Sequence, residues 1–274
     1  MSKWTSLLDY IGSHRDIVVL LSGGLDSSFL TYACFKAKSN VVAVTFSSPL
    51  MPKKEVEDAA LVAKDFGIKH FVINSDDLSV SEVRHNHHRR CYFCRKHRDN
   101  LVKKWMDGCF ASKNFVIMDG ATDSDFSEYR PGLEAAEEDR VLHPLREMGF
   151  KKEEIRKLAR EFGLSFWDKP SSPCLATRFP YGTTLNEEDL TRVAKAEEYL
   201  ISLGFRNVRV RSYQRSVAVV EVSPNDVEKV WAIKDDVKSA LFELGFLVVA
   251  VDLEGHKSGK MDYILRGGVE RDNI

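Results

Sequence analysis

Short apolar, β-branched runs alternate with amphipathic stretches through the first half of the chain. Residues 17–21, 41–46, 70–73 and 115–118 each read as a strand. Between them, residues 27–38, 55–66 and 95–106 place apolar side chains at helical spacing. Strand, helix and strand at these distances require parallel pairing through right-handed crossovers, so the pattern predicts a doubly wound α/β sheet. Ligands of such sheets bind at the carboxyl ends of the strands.

After residue 118 the rhythm loosens into loops rich in Gly, Pro and Asp, followed by a helix over 151–162 and an irregular stretch over 167–182. A second rhythm begins at Asn186: a helix to Leu203, strands over 208–212 and 217–222, helical residues 225–244 and a strand over 247–252. It predicts a smaller C-terminal α+β domain. The expected division is 1–182 for the sheet domain, 183–266 for the second domain and 267–274 for a tail.

Charge narrows the function classes. The 274 residues hold 40 Lys and Arg against 41 Asp and Glu, a formal net charge of -1. A chain whose affinity rests on nucleic-acid phosphates usually carries a basic excess, so no nucleic-acid partner is expected. The longest apolar runs are too short to span a bilayer, and the polar start has no signal-peptide core, which predicts a cytoplasmic protein with no membrane partner. Five cysteines are too few for a disulfide scaffold, so a close pair among them is read first as metal or redox chemistry.

Ser22-Gly23-Gly24-Leu25-Asp26-Ser27-Ser28 joins the first expected strand directly to a helix. Two glycines let the backbone approach a phosphate, successive N–H groups form an anion nest, and the helix N-terminus adds partial positive charge. No Gly-Lys-Ser/Thr follows, so this is not a Walker A loop, and it is not a GxGxxG turn. An ordinary Gly-Gly turn capped by Asp or Ser is the simpler alternative.

Cys91 and Cys94 form a CxxC, and Cys174 lies in the irregular stretch. Two thiolates from a CxxC and a remote third suit a [4Fe–4S] cluster that leaves one iron without a protein ligand. Zinc competes equally: Cys91 and Cys94 with His97, or with one of His85, His87 and His88, also make a tetrahedral set. A redox CxxC lacks a thioredoxin-like setting. Cys34 and Cys109 read as ordinary core or surface residues, and Trp4 and Trp231 as packing residues. The basic run 85–90 is either a solvated loop or the lining of an anionic site.

The Ser-Gly-Gly-x-Asp-Ser segment resembles the pyrophosphate loop of the N-type ATP pyrophosphatases, which adenylate a substrate and release pyrophosphate. By that resemblance Ser22, Gly23, Gly24, Asp26, Ser27 and Ser28 hold pyrophosphate and Mg²⁺, and the end of the second strand, at Ser47, meets the adenosine of ATP. Asp119-Gly120-Ala121-Thr122-Asp123-Ser124-Asp125, Tyr129-Arg130-Pro131-Gly132, His143-Pro144-Leu145-Arg146-Glu147, Trp167-Asp168-Lys169-Pro170 and 174–182 further resemble the LarE-type sulfur transferases. So do Val208-Arg209-Val210-Arg211 and Asp252-Leu253-Glu254-Gly255. The likeness runs from about residue 6 to 266. The family commonly has Tyr-Arg where this chain has His256-Lys257, and Asn where it has Thr122, so a cation at Lys257 would act as a point charge rather than a fork.

The resemblance implies that ATP adenylates a carboxylate of pyridinium-3,5-biscarboxylic acid mononucleotide and that sulfur displaces AMP, on the route to the nickel-pincer nucleotide. In one version of the family a single cysteine at the position of Cys174 gives up its own sulfur. In the other, cysteines at the positions of Cys91, Cys94 and Cys174 hold a [4Fe–4S] cluster that carries an extra sulfide from a donor. All three are present here, and a thiolate held on iron is a poor sacrificial donor, so the cluster version is expected. The same likeness implies a homo-oligomer, with the second domain's helices as the expected interface.

A mononucleotide dicarboxylate needs fixed cations. Arg130 and Arg178 from the first domain and Arg209, Arg211 and Lys257 from the second are the candidates, with a solvated strand face as the simpler reading of Arg209 and Arg211. Asp26 and Asp125 are candidate Mg²⁺ contacts, while Glu198 and Glu221 read better as exposed charges. Three rivals remain: a tRNA thiolase, which needs a broad basic surface; an ammonia-dependent synthetase, which has no use for three cysteines; and a zinc-stabilised nucleotide sensor.

Overall fold

The computed structural model describes residues 2–110, 115–126, 130–257 and 260. The expected tail at 267–274 lies outside them. The chain divides into two compact units, Met1–Ser172 and Pro173–Ile274.

In the first unit four strands, β1 (Asp16–Leu20), β2 (Asn40–Ser47), β3 (Lys69–Asn74) and β4 (Val116–Met118), pair in parallel in the order β3-β2-β1-β4. β1 shows why the sheet is covered on both faces. Ile17, Val19 and Leu21 enter one core with residues of α1 (Lys3–Gly12), α2 (Leu25–Lys36) and α3 (Lys53–Asp65). Val18 points the other way and joins Val44, Phe46, Ile117, Val102 and Ala136. That alternation, apolar on both sides, is the signature of a doubly wound sheet.

Two four-residue helices, α4 (Ser81–Arg84) and α6 (Asp123–Phe126), flank the twenty-residue α5 (Arg90–Cys109); α7 (Pro131–Glu138), α8 (Pro144–Glu147) and α9 (Lys152–Glu161) follow. The sequence places the start of α5 near Arg95, and the structure begins it five residues earlier. Nothing in 87–94 breaks a helix; the break is at Asn86, whose backbone is left-handed with φ at 46°. No side chain caps the start and no acidic residue occupies the first turn, so the usual signal is missing.

In the second unit α10 (Glu187–Ser202) precedes the antiparallel pair β5 (Arg209–Tyr213) and β6 (Val217–Glu221). The expected helix over 225–244 is split into α11 (Val227–Ala232) and α12 (Lys234–Glu243), and β7 (Val248–Val251) pairs parallel to β6. Residues 173–182, assigned to the first domain from sequence, belong to this unit. Arg178 and Thr177 bind them to α10 and β5, as described below. Trp4 packs against Phe29, Tyr32 and Phe162, whereas Trp231 is exposed rather than packed, with the Lys234 ammonium 4.9 Å over its ring. No helix among the described residues is long and apolar enough to cross a membrane.

Candidate active site

β1 ends at Leu20, and the chain turns through Ser22, Gly23 and Gly24 into α2. Gly23 has φ at +78°, and a Cβ there would collide with the Glu55 carbonyl oxygen of α3. On the other side Gly120, just after β4, lies so close that a Cβ would sit 2.5 Å from the Ser27 nitrogen. The loop is therefore clamped between two backbones that tolerate only glycine.

Inside the turn the Ser22 and Ser27 hydroxyls are 3.0 Å apart, and the Gly24 N–H makes a long contact of 3.4 Å with Ser22 Oγ. Ser28 Oγ and Asp26 Oδ1 are buried without a hydrogen-bond partner among the described residues. Burial pushes the Asp26 carboxyl up to about 6, against the pull of Lys152 and with the push of Asp125. A carboxylate oxygen and a hydroxyl left unsatisfied beside a helix N-terminus suit Mg²⁺ and a phosphate group. Ser47 closes β2, and its carbonyl accepts from the Ser75 N–H.

Asp125 differs from its sequence reading as a metal contact. Its Oδ2 accepts from the Thr122 N–H and hydroxyl at 2.9 Å each, and its Oδ1 meets Lys152 at 2.8 Å and Arg130 at 2.9 Å. Burial raises its pKa, and Lys152 and the Thr122 N–H more than offset this, so the group stays below the usual range. Both oxygens are engaged, which makes Asp125 a brace, with Arg130 bound to it.

Cys91 and Cys94 lie in the first two turns of α5, three residues apart and so on one helix face. Cys91 is exposed and Cys94 half-buried, as is Cys174; Cys34 is fully buried, and burial pushes its thiol up to about 12. Arg95 ties these turns to the sheet. Its Nε binds Asp99 at 2.8–2.9 Å and its Nη1 binds Asp119 at 2.8 Å. Asp119 also meets His143 Nδ1 at 2.7 Å. Desolvation would raise the buried Asp119 carboxyl, but Arg95 and His143 hold it down at about 2. Among the described residues no three His, Cys, Asp or Glu side chains gather as a metal site, and this holds for the expected three-cysteine set as for the zinc set of Cys91, Cys94 and a nearby histidine.

In the second unit Cys174 opens a short 3₁₀ turn, Leu175–Arg178. Arg178 is 1% exposed and binds Glu197 through two parallel bonds of 2.8 and 2.9 Å, while its Nη1 reaches the Pro173 carbonyl and the Thr177 hydroxyl. Its geometry is that of a brace under the Cys174 turn, not the anion contact expected from its charge. Arg209 and Arg211 share one face of β5, and both are buried rather than solvated. Arg211 forks onto Glu221 at 2.9 and 3.0 Å and reaches the Thr177 carbonyl at 2.5 Å, so Glu221 is a buried partner and not an exposed charge. Desolvation, with Arg178 and Arg211 close by, brings Arg209 down to about 10. The three guanidiniums and the carboxylates of Glu197 and Glu221 form one buried charged cluster. Lys257 is exposed 3.6 Å from Glu254, and Glu198 is exposed as expected. Sequence reasoning assigned no role to Glu197, Arg95, Asp119 or Lys169; apart from Asp99, four residues from Arg95, their partners are remote along the chain.

A parallel sheet with a glycine-clamped anion loop between β1 and α2 defines a PP-loop nucleotide-binding domain, and the NAD synthase family model matches residues 5–103. An uncharacterized protein of Synechocystis is 35% identical over 96% of this chain and 98% of its own length. The pyridinium-3,5-bisthiocarboxylic acid mononucleotide synthase of Lactiplantibacillus plantarum is 32% identical over 95% of this chain and 94% of its own. A tRNA-specific 2-thiouridylase of Thermoanaerobacter is 26% identical over 71% of this chain and 63% of its own. Likeness to the synthase across nearly the whole of both chains makes the protein a member of the LarE family of ATP-dependent sulfur transferases.

Proposed function

We propose that the protein adenylates a carboxylate of pyridinium-3,5-biscarboxylic acid mononucleotide and replaces one of its oxygens with sulfur. The observation that carries this reading is end-to-end likeness to the synthase, joined to a loop that holds Asp26 Oδ1 and Ser28 Oγ buried and open. N–H groups and hydroxyls of Ser22, Gly23, Gly24, Ser27 and Ser28 hold the pyrophosphate of ATP, Asp26 faces Mg²⁺, and Ser47 lies by the adenosine. A substrate carboxylate oxygen attacks the α-phosphorus, and the bond to pyrophosphate breaks with its electron pair leaving on pyrophosphate. Sulfide then adds to the acyl carbon, and AMP departs with the carboxylate oxygen. The result is a thiocarboxylate.

Arg209 and Lys257 offer cations for the phosphate and second carboxylate of the substrate. Cys91, Cys94 and Cys174 hold a [4Fe–4S] cluster in this reading; their exposed or half-buried thiols and the helical spacing of the first two suit it. When bound, such a cluster supplies an iron site with no protein ligand for a sulfide taken from a donor. The protein works in the reducing cytoplasm as a homo-oligomer, without nucleic acid.

Anaerobically purified protein tests this directly. Iron at about four per chain, with AMP, pyrophosphate and the thiocarboxylate formed from ATP, sulfide and substrate, is the expected result. Loss of the Cys174 sulfur during a single turnover, without iron, would replace catalytic delivery by sacrifice. No AMP-forming turnover with this substrate would overturn the proposal.

A further inference from the structure

We infer that Lys169 is a positioning residue for the phosphate loop, holding the Gly23–Gly24 peptide so that its N–H faces the pyrophosphate of ATP. Lys169 lies 146 residues from Gly23 in sequence, yet its Nζ donates to the Gly23 carbonyl at 3.0 Å. The same ammonium meets Glu55 at 3.0 Å and Asp58 at 2.5 Å, both on α3. All three of its protons are therefore directed.

The segment that delivers it is built for the purpose. Arg156 of α9 donates to the Trp167 carbonyl at 2.8 Å and to the Lys169 carbonyl at 3.3 Å, and Arg160 lies 5.0 Å over the Trp167 ring. Lys169 itself is mostly buried.

The consequence follows from peptide geometry. In a planar trans peptide the carbonyl and the N–H point in opposite directions. With the Gly23 oxygen fixed on Lys169, the Gly24 N–H turns to the inner side of the loop, where it now makes its long 3.4 Å contact with Ser22 Oγ. A phosphate oxygen is a better acceptor than that distant hydroxyl. Gly23, with φ at +78°, is the residue most able to flip its peptide, and so most in need of such a restraint. Burial would raise Asp58, but Lys169 and Lys54 hold it below the usual range.

The inference rests on the nucleotide half of the proposed function and not on its sulfur chemistry. The test is calorimetric binding of inorganic pyrophosphate, Mg·ATP and AMP to the full chain. K169M is expected to weaken pyrophosphate and Mg·ATP at least about tenfold and to leave AMP, which lacks the β- and γ-phosphates, within about twofold; K169R recovers most of the loss. Unchanged pyrophosphate binding, or equal loss of AMP, overturns the inference. Should K169M fail to fold, D58N serves: about threefold weaker pyrophosphate with AMP unchanged supports it, and no change overturns it. Wild-type protein that binds ATP but makes no thiocarboxylate would sink the proposed substrate while leaving these measurements intact.

Discussion

Arg178 grips Glu197 with both ends of its guanidinium, Nε to Oε1 at 2.8 Å and Nη2 to Oε2 at 2.9 Å, directly beneath the turn that Cys174 opens. Glu197 Oε1 also accepts the Val210 N–H at 2.9 Å, so the pair ties the cysteine turn to α10 and β5 at once. Removing one partner leaves the other charge buried without compensation. R178M is expected to cost about 3–5 kcal/mol in urea unfolding, far more than a surface pair would.

Asp26 makes metal binding depend on pH. Its carboxyl sits at about 6, so below that value the nucleotide-free protein carries a proton that Mg²⁺ must displace. Mg·ATP affinity should fall as pH drops through 6, with proton release on binding. Calorimetry in two buffers of different ionisation heat reads both effects. D26N should remove the pH dependence together with the Mg²⁺ contribution.

Gly120 predicts a loss of a different kind. A methyl group there meets backbone atoms of Asp26 and Ser27 at 2.5–2.8 Å, which no side-chain rotation relieves. G120A should keep the secondary structure of the wild type, as seen by circular dichroism. Its ATP affinity should fall by at least about tenfold, because the loop must shift by a fraction of an ångström.

Acid stability should report on Asp119. An unfolded Asp titrates near 4 and this one near 2. Its depressed pKa stabilises the fold above the unfolded value, and the contribution fades as pH falls from about 4 to about 2. The linkage amounts to about 2 kcal/mol, visible as a falling urea midpoint that D119N abolishes while lowering stability at neutral pH.

Thiol labelling of the metal-free native chain should sort the cysteines. Cys91, Cys94, Cys109 and Cys174 are exposed or half-buried and should react with iodoacetamide, while Cys34, fully buried and pushed up to about 12, should react only after unfolding. Mass spectrometry of the labelled peptides checks each position.

The strands and the phosphate loop were legible because their signals are local: β-branched runs, two glycines and a helix start fall within a dozen residues. The CxxC helix was misplaced because Arg89 offers no cap, leaving only weak propensity to mark its beginning. Charge in a sequence does not reveal its partner. Arg178 and Asp125 look like ligand contacts until Glu197, 19 residues on, and Lys152, 27 residues on, are seen against them. Lys169 is the extreme case, since its acceptors are more than a hundred residues away. The family likeness covered that gap for the overall reaction but assigned this lysine no role.

Cys94 is followed by Arg95, Arg95 is locked to Asp119, and Asp119 is followed by the glycine that abuts Ser27. Every link in this series is a peptide bond, an ion pair or backbone against backbone, and the one long side chain, Arg95, is fixed by Asp99 as well as by Asp119. The first unit therefore acts as a gauge block: the separation between its thiol pair and the nucleotide loop is machined into the scaffold before any ligand arrives.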